Sequence, residues 1–380
     1  MQPIYLDYAA TTPAAPEVAA AMAECLTLDG NFANPASRSH LYGWQAEEAV
    51  EQARGQLAAL LNADAREIVW TSGATESNNL ALKGICRPGD HLLVPSIEHK
   101  AVLDPAQALA EQGVNLELVQ PDTYGQIDPA RVASMMRPET RLVSVMLVNN
   151  ELGTINPIAE IARFCRERGC LLHVDAAQAV GKIAVDVKAL DVDLLSVSAH
   201  KLYGPKGIGA LYVRRSADVQ LEAQIHGGGH ERGMRSGTLP THQCVGFGVA
   251  AELAGAELET EARRIAELRD ALWQGIGTLP GVRLNGHPSA RVAGHLNVAF
   301  DGIDGEMLLL SLRQLAVSSG SACTSASMSP SYVLKAIGLS DAQALSSIRF
   351  SVGRYTSVQD IDRAIAHIRD VVGKLQVKAG

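Results

Sequence analysis

The 380-residue sequence predicts an α/β protein: a large unit on a mostly parallel seven-stranded sheet covered by helices, with a smaller α+β unit beside it. Three observations carry this. From about residue 16 to 257, short apolar runs alternate with amphipathic helical stretches, as expected for parallel strands joined by crossover helices. Two runs, 142–148 and 171–174, are apolar almost throughout, as strands covered on both faces must be. The length, with 47% hydrophobic residues, suffices for a large core and two domains.

In chain order, Val18, Met22 and Cys25 share a helical face, and the first strands follow at Glu67–Thr71, His91–Pro95 and Asn115–Val119. Arg141–Val148 comes next, then a helix with Ile158, Ile161, Ala162 and Cys165 on one face, then Leu171–Val174 and Leu194–Ser198. Gly209–Val213 is reached by too short a link for a parallel crossover, so it is expected to run antiparallel. After about residue 258 a charged helix carrying Leu268, Leu272 and Ile276 leads into Gly281–Leu284 and His295–Phe300, whose alternation is weaker. A final helix aligns Ile361, Ile365, Ile368, Val372 and Leu375. The expected domains are 16–257, and 1–15 with 258–380, because the first dozen residues are too short to form a domain and should return to the smaller unit.

A net charge of -8 presents no basic face for nucleic acid or anionic lipid. Residues 1–7 lack a charged leader and an apolar signal core, and no stretch of about 18 apolar residues follows, so no membrane partner and a cytoplasmic location are expected. The six cysteines, Cys25, Cys86, Cys165, Cys170, Cys244 and Cys323, lack the spacing of a disulfide framework. Cys25 and Cys165 fall on apolar helix faces. Cys165, Cys170 and His173 span a helix, a turn and a strand start, which argues against zinc. Cys323 differs: within 318–327 it is the one side chain that is neither small and inert nor a simple hydroxyl. Glycine and serine bury too little apolar surface to offset the entropy of ordering, so this segment is expected to be mobile and its thiol exposed.

Two polar clusters follow apolar runs: Asp175-Ala176-Ala177-Gln178, and Ala199-His200-Lys201. Both are expected at carboxyl ends of parallel strands, where open α/β sheets bind ligands. Asp175 follows a run too apolar to leave a carboxylate unpaired and needs a buried cation. Lys201, beside the turn Gly204–Gly207, is placed for desolvation toward a neutral amine. Singly, each has an ordinary reading as a helix-capping aspartate or a surface lysine. Together they match what pyridoxal phosphate requires: an amine for a Schiff base and an acid to hold the pyridinium charge. Thr71-Ser72-Gly73-Ala74-Thr75-Glu76, where a strand turns into a helix, is a candidate phosphate site of backbone N–H groups with the Thr75 hydroxyl; a capped helix is the plain alternative. A second Gly-rich stretch, 226–238, carries histidines and arginines and is read as an anion-contacting loop rather than a metal site.

With these residues in place, the sequence resembles the pyridoxal-phosphate-dependent cysteine desulfurases of the fold-type I, class V aminotransferase superfamily, and among them the housekeeping type that serves iron-sulfur cluster assembly. The resemblance runs over essentially the whole chain, from 5–13 through 34–37, 98–102 and 148–151 to 321–325 and 348–351. It implies pyridoxal 5'-phosphate bound covalently by Lys201, with His99 stacked on its ring, Asp175 on its pyridine nitrogen and Gln178 on its phenolic oxygen. Ala74, Thr75, Ser198 and His200 would hold its phosphate, joined by Thr238 from the other subunit of a homodimer. Asn150 and Arg349 would bind the carboxylate of L-cysteine, with Asn34 nearby, and a guanidinium suits a planar carboxylate. Cys323 would take the substrate sulfur as a persulfide, leaving alanine, and pass it to an iron-sulfur scaffold and other acceptors. No metal is implied in the free enzyme, and Cys323 is a candidate cluster ligand in a complex. Housekeeping members continue into a longer tail that helps dock the scaffold, whereas this sequence ends at Gly380. Competing readings are a selenocysteine lyase or aminotransferase of the same superfamily, and a non-enzymatic sulfur carrier. The Cys323 segment argues against transamination, and Asp175, Gln178 and Lys201 together argue against a carrier.

Overall fold

A computed structural model describes residues 2–319 and 329–379, the last three by backbone alone. The chain runs β1 (Ile4–Tyr5), α1 (Pro16–Ala23), α2 (Leu41–Leu60), β2 (Ile68–Thr71), α3 (Ala74–Ile85), β3 (His91–Pro95), α4 (Lys100–Glu111), β4 (Asn115–Val119), α5 (Pro129–Met135), β5 (Thr140–Met146), α6 (Ile158–Arg168), β6 (Leu171–Asp175), β7 (Leu194–Ser198) and β8 (Gly209–Val213). It continues through α7 (Thr241–Ile276), β9 (Val282–Asn285), β10 (His295–Phe300), α8 (Gly305–Ser311), β11 (Leu315–Ala316), β12 (Ser318–Ser319), α9 (Tyr332–Ala336), α10 (Asp341–Leu345), β13 (Ser347–Ser351) and α11 (Val358–Ala379).

Seven strands form one sheet in the order β2-β8-β7-β6-β5-β3-β4. Only β8 opposes its neighbours, and the other pairings are parallel. The apolar runs are continuous because successive residues feed two cores. Leu93, Val143, Leu172 and Leu195 join one cluster with α2, α6 and the first half of α7, while Leu92, Leu142, Leu171 and Leu194 join the other with α3 and α4. Each such side chain contributes about 1.5–3 kcal/mol when fully buried.

A third core forms around a four-stranded antiparallel sheet, β12-β13-β10-β9, closed by α8 and α11. β10 is buried at every position rather than weakly alternating, because it lies in the middle of this sheet between β9 and β13. The charged helix expected after residue 258 is the second half of α7, 36 residues long. No proline interrupts residues 241–276 and helix formers dominate them. Phe247, Ala250 and Ala254 enter the first core, and Leu268, Leu272 and Ile276 the third, so one helix ties the two together. The N-terminal segment is woven in from afar: the Ile4 and Leu6 N–H groups donate to the Gln314 and Ala316 carbonyls, and β1 pairs with β11. No described helix is long and apolar enough to cross a membrane.

Candidate active site

The parallel strands β5, β6 and β7 end together, and the segments that leave them line a cleft of about 820 Å³. β6 ends on Asp175 itself, one residue further than the apolar run suggests. Asp175 is 7% exposed; its Oδ2 accepts from the Asn78 amide at 2.8 Å and its Oδ1 from the Ala177 N–H at 2.9 Å. Among the described residues no cationic side chain forms an ion pair with it. A buried carboxylate with only neutral partners, facing a cleft, fits a cationic ring nitrogen.

Lys201 follows β7 on a single helical turn, and its Nζ donates to the carbonyls of Ala9 at 2.6 Å and Ala10 at 2.7 Å. The same turn sets the His200 Nδ1 3.1 Å from the Thr11 hydroxyl. Burial first, then the charges of Lys201, Lys206 and Lys182, pull the His200 pKa down to about 4, so the ring is neutral at pH 7. Gln178 is pinned at both ends: Nε2 donates to Ala9 O at 2.8 Å, and Oε1 accepts from Lys182 Nζ at 2.5 Å. The amide is therefore oriented, with a second N–H left on Nε2.

His99 sits at the N-cap of α4, where its Nδ1 accepts from the Ala101 N–H at 3.0 Å. That bond requires an unprotonated Nδ1 and assigns the ring proton to Nε2. Burial lowers the His99 pKa, only partly offset by Asp175, and Lys201 lowers it further. Beside it, Glu98 is fully buried, accepts from Met146 N–H, and has its carboxyl pKa raised well above normal by that burial.

The phosphate candidate is an open helix start. α3 begins at Ala74 after Gly73, which offers no side-chain cap, so the first-turn N–H groups are available at the cleft wall made by Ser72 to Glu76. Gly73 has φ +153°, a conformation few side chains tolerate, and a Cβ on Gly209 of β8 would come within 2.5 Å of the Gly73 Cα. Ser198 is buried at the end of β7 and lines the same cleft. Glu76 accepts from Ser72 N–H at 2.7 Å, and its negative charge is matched by Arg235 at 2.7 Å.

Arg235 belongs to the Gly-rich stretch 226–238, whose cations find their partners within the chain. Arg232 donates to the Ile68 carbonyl, while Glu231 binds Arg54 and the Trp70 N–H, so the stretch closes the outer edge of β2. Its Thr238 is exposed and does not line this chain's cleft. Asn34 is likewise exposed and outside the cleft; its Oδ1 accepts from Ala36 N–H. The two neighbourhoods adjoin, since Thr241 donates to the Ala33 carbonyl at 3.5 Å.

From the smaller sheet, Arg349 of β13 reaches the cleft at 7% exposure. Its NH1 donates to Asn150 O at 2.9 Å and its NH2 to Asp7 Oδ1 at 2.9 Å and Ser318 Oγ at 3.2 Å, while Nε is buried without a partner. Asn150 also lines the cleft, and its Oδ1 is buried without a partner. Cys323 lies outside the described residues, but Ser319 and Ser329, which bracket its segment, both line the cleft. The five other cysteines are buried and none lines the cleft; burial raises the Cys86 pKa to about 12. Among the described residues no group of three or more His, Cys, Asp or Glu is placed to hold a metal.

Several participants carry no local signal. Asp7, Ala9, Ala10 and Thr11 form a floor under Lys201, His200 and Arg349 across separations of up to 342 residues. Glu151 is a second: 6% exposed in the cleft wall, it accepts from Ser331 Oγ at 2.6 Å. Burial raises its pKa from 4.5 to about 7, with Ser331 and Arg349 pulling the other way. A raised folded-state pKa means that stability attached to this group is full below about pH 4.5 and is lost as pH rises to about 7. Glu151→Gln, neutral throughout, is expected to gain roughly 3 kcal/mol on the parent between pH 4.5 and 8. Urea midpoints across that range check this; a pH-independent difference would contradict it.

The sequence matches the family described as aminotransferase class-V over residues 4–364. It is 59% identical to the cysteine desulfurase IscS of Acinetobacter baumannii (strain AYE), over 99% of this chain and 94% of that protein. It is 58% identical to the cysteine desulfurase IscS of Azotobacter vinelandii (strain DJ / ATCC BAA-1303), over 98% and 94%. Among solved structures, a NifS-like protein superposes with TM-score 0.90 at 34% identity, over 98% of this chain and all of that one. SspA in complex with cysteine superposes with TM-score 0.83 at 39% identity, over 93% and 100%.

Proposed function

The chain belongs to the class-V aminotransferase family, and from that premise we propose the following division of labour for a cysteine desulfurase acting on L-cysteine. One observation carries it: Lys201, Asp175, His99 and Arg349, from two different sheets and three strand ends, line a single cleft. That donor set fits pyridoxal phosphate. Lys201 is the amine that would bind it covalently, Asp175 would meet its ring nitrogen, His99 its ring face, and the remaining Gln178 N–H its phenolic oxygen. Ala74, Thr75, Ser198 and His200 would hold its phosphate, with Thr238 of the partner subunit. When bound, the cofactor supplies an electron sink that weakens bonds around the substrate's Cα.

Arg349 and Asn150, which line the cleft, bind the substrate carboxylate. Lys201, once freed, moves the α-proton. Cys323, as a thiolate, forms a bond to the substrate sulfur while the Cβ–S bond breaks; that bond's electron pair stays with carbon, which takes up a proton to give alanine. Because Nδ1 of His99 is committed to Ala101, the proton it offers is on Nε2, which supports a role as proton donor rather than as the base that activates the thiol. The smaller unit, 1–15 with 258–380, brings Arg349, Ser319 and Ser329 to the cleft of the larger, 16–257.

A homodimer is supported by exposed Leu26, Leu28, Phe32, Leu41, Tyr42 and Trp44, grouped around Asn34. The sulfur acceptors are an iron-sulfur scaffold and other cytoplasmic proteins. The test is the absorbance of purified protein before and after L-cysteine, with alanine and sulfide measured. A visible cofactor band that shifts on addition, with alanine and sulfide formed, is expected; no band, or no alanine, would overturn the reading. Parallel assay with L-selenocysteine separates a selenocysteine lyase.

A further inference from the structure

Arg349 has five N–H donors, and their use is uneven. Both hydrogens of NH2 are taken, by Asp7 Oδ1 at 2.9 Å and Ser318 Oγ at 3.2 Å, and one on NH1 goes to the Asn150 carbonyl. Asp7 does not line the cleft, whereas Arg349 and Asn150 do. Asp7 therefore grips the guanidinium from behind, on the amino group turned to the N-terminal segment.

Asp7 itself is held rigidly. Leu6 N–H donates to Ala316 O at 2.9 Å, Ser351 N–H to Leu6 O at 2.7 Å, and Ala9 N–H to Ser351 Oγ at 2.8 Å. Asp7 also bridges to Ser351 as a parallel β-partner, two residues from Arg349 on β13. A flexible arginine is thus tied to a carboxylate fixed by backbone bonds on both sides, with side chains only 8% and 19% exposed for Arg349 and Asp7. Arginine loses substantial rotamer entropy when ordered, and a carboxylate that orders it beforehand removes that cost from substrate binding.

We propose that Asp7 is the positioning residue of the substrate-carboxylate site: it fixes the guanidinium plane of Arg349 so that the arginine meets the carboxylate of an amino-acid substrate without rearrangement. This rests on the reading of Arg349 as the carboxylate-binding residue. It makes Asp7 a determinant of selectivity for ligands that carry a carboxylate, and it acts only through Arg349.

The test uses the holoenzyme and two inhibitors: 3-mercaptopropionate, which has the thiol and the carboxylate, and cysteamine, which has the thiol and the amine but no carboxylate. For Asp7→Asn, KM for L-cysteine and the inhibition constant of 3-mercaptopropionate are expected to rise together by about tenfold, the scale of one lost charge-assisted hydrogen bond. The kcat and the cysteamine constant should stay within about twofold on the same argument, and Asp7→Glu should recover part of the loss. Tighter 3-mercaptopropionate binding would overturn the proposal, since it would make Asp7 a competitor of the substrate. Equal loss for both inhibitors, or no change, would overturn it too. Arg349→Lys separates the premise: if it fails to discriminate the two inhibitors, the carboxylate assignment of Arg349 falls and this inference with it. If it discriminates while Asp7→Asn does not, only the role of Asp7 falls. Should Asp7→Asn not fold, Ser318→Ala, which removes the other acceptor on NH2, is expected to show the same selective loss at smaller size, and its absence would count against the proposal.

Discussion

Replacing Lys201 with alanine is expected to abolish the visible band of the bound cofactor and to cut L-cysteine turnover by at least about 10⁴-fold, because one side chain supplies both the covalent tie and the proton transfer. The protein itself should survive. Its Nζ donates to the Ala9 and Ala10 carbonyls, and Lys201 stands on a short turn after a fully buried strand. Lys100 and Lys206 also line the cleft, and Lys182 stands behind it, donating to Gln178. Lys182→Met should therefore keep the band. Borohydride reduction followed by peptide mass analysis identifies which lysine carries the cofactor; label on Lys182, or turnover of Lys201→Ala above about one per cent of the parent, far outside the expected loss, would contradict the assignment.

Cys323→Ala is expected to leave the cofactor band and its shift with L-cysteine intact, while alanine and sulfide formation fall by about 10³-fold or more, the scale of losing a nucleophile. The two ends of the segment containing Cys323 are fixed at the cleft by Ser319 and Ser329. Cys323 is four chain steps from Ser319, a reach of up to about 14 Å at roughly 3.6 Å per residue. The other five cysteines are buried and none lines the cleft, so none can replace it without opening a core. Full desulfuration by Cys323→Ala would remove the thiol from the mechanism. Loss of the cofactor band would instead make the residue structural.

Much of the fold was legible because its signal is local. Leu142–Val148 and Leu171–Val174 read as strands since their side chains enter cores on both faces, and Asp175 and Lys201 stood out as charges placed where such runs stop. What escaped is what depends on distant pairs. Nothing near Asp7 indicates that its carboxylate meets Arg349, nor that Ala9 and Ala10 offer carbonyls to Lys201. Glu151 looked like part of a motif, and only burial against Ser331 makes it a group with a pKa near 7. The half of α7 after residue 258 read as a separate helix because its composition changes there, while the backbone bonds continue. The cation that Asp175 needs was read as a protonated ring nitrogen, and the carboxylate's partners within the chain, the Asn78 amide and the Ala177 N–H, are both neutral.

The central claim is that substrate sulfur passes to Cys323. Holoenzyme mixed with L-cysteine without reductant, then quenched, digested and analysed by mass, tests it directly, with alanine counted in the same sample. The expected result is one added sulfur atom on the peptide carrying Cys323, with one alanine formed per sulfur in the first turnover. Alanine formed with no sulfur on Cys323, or sulfur found on another cysteine, would contradict it.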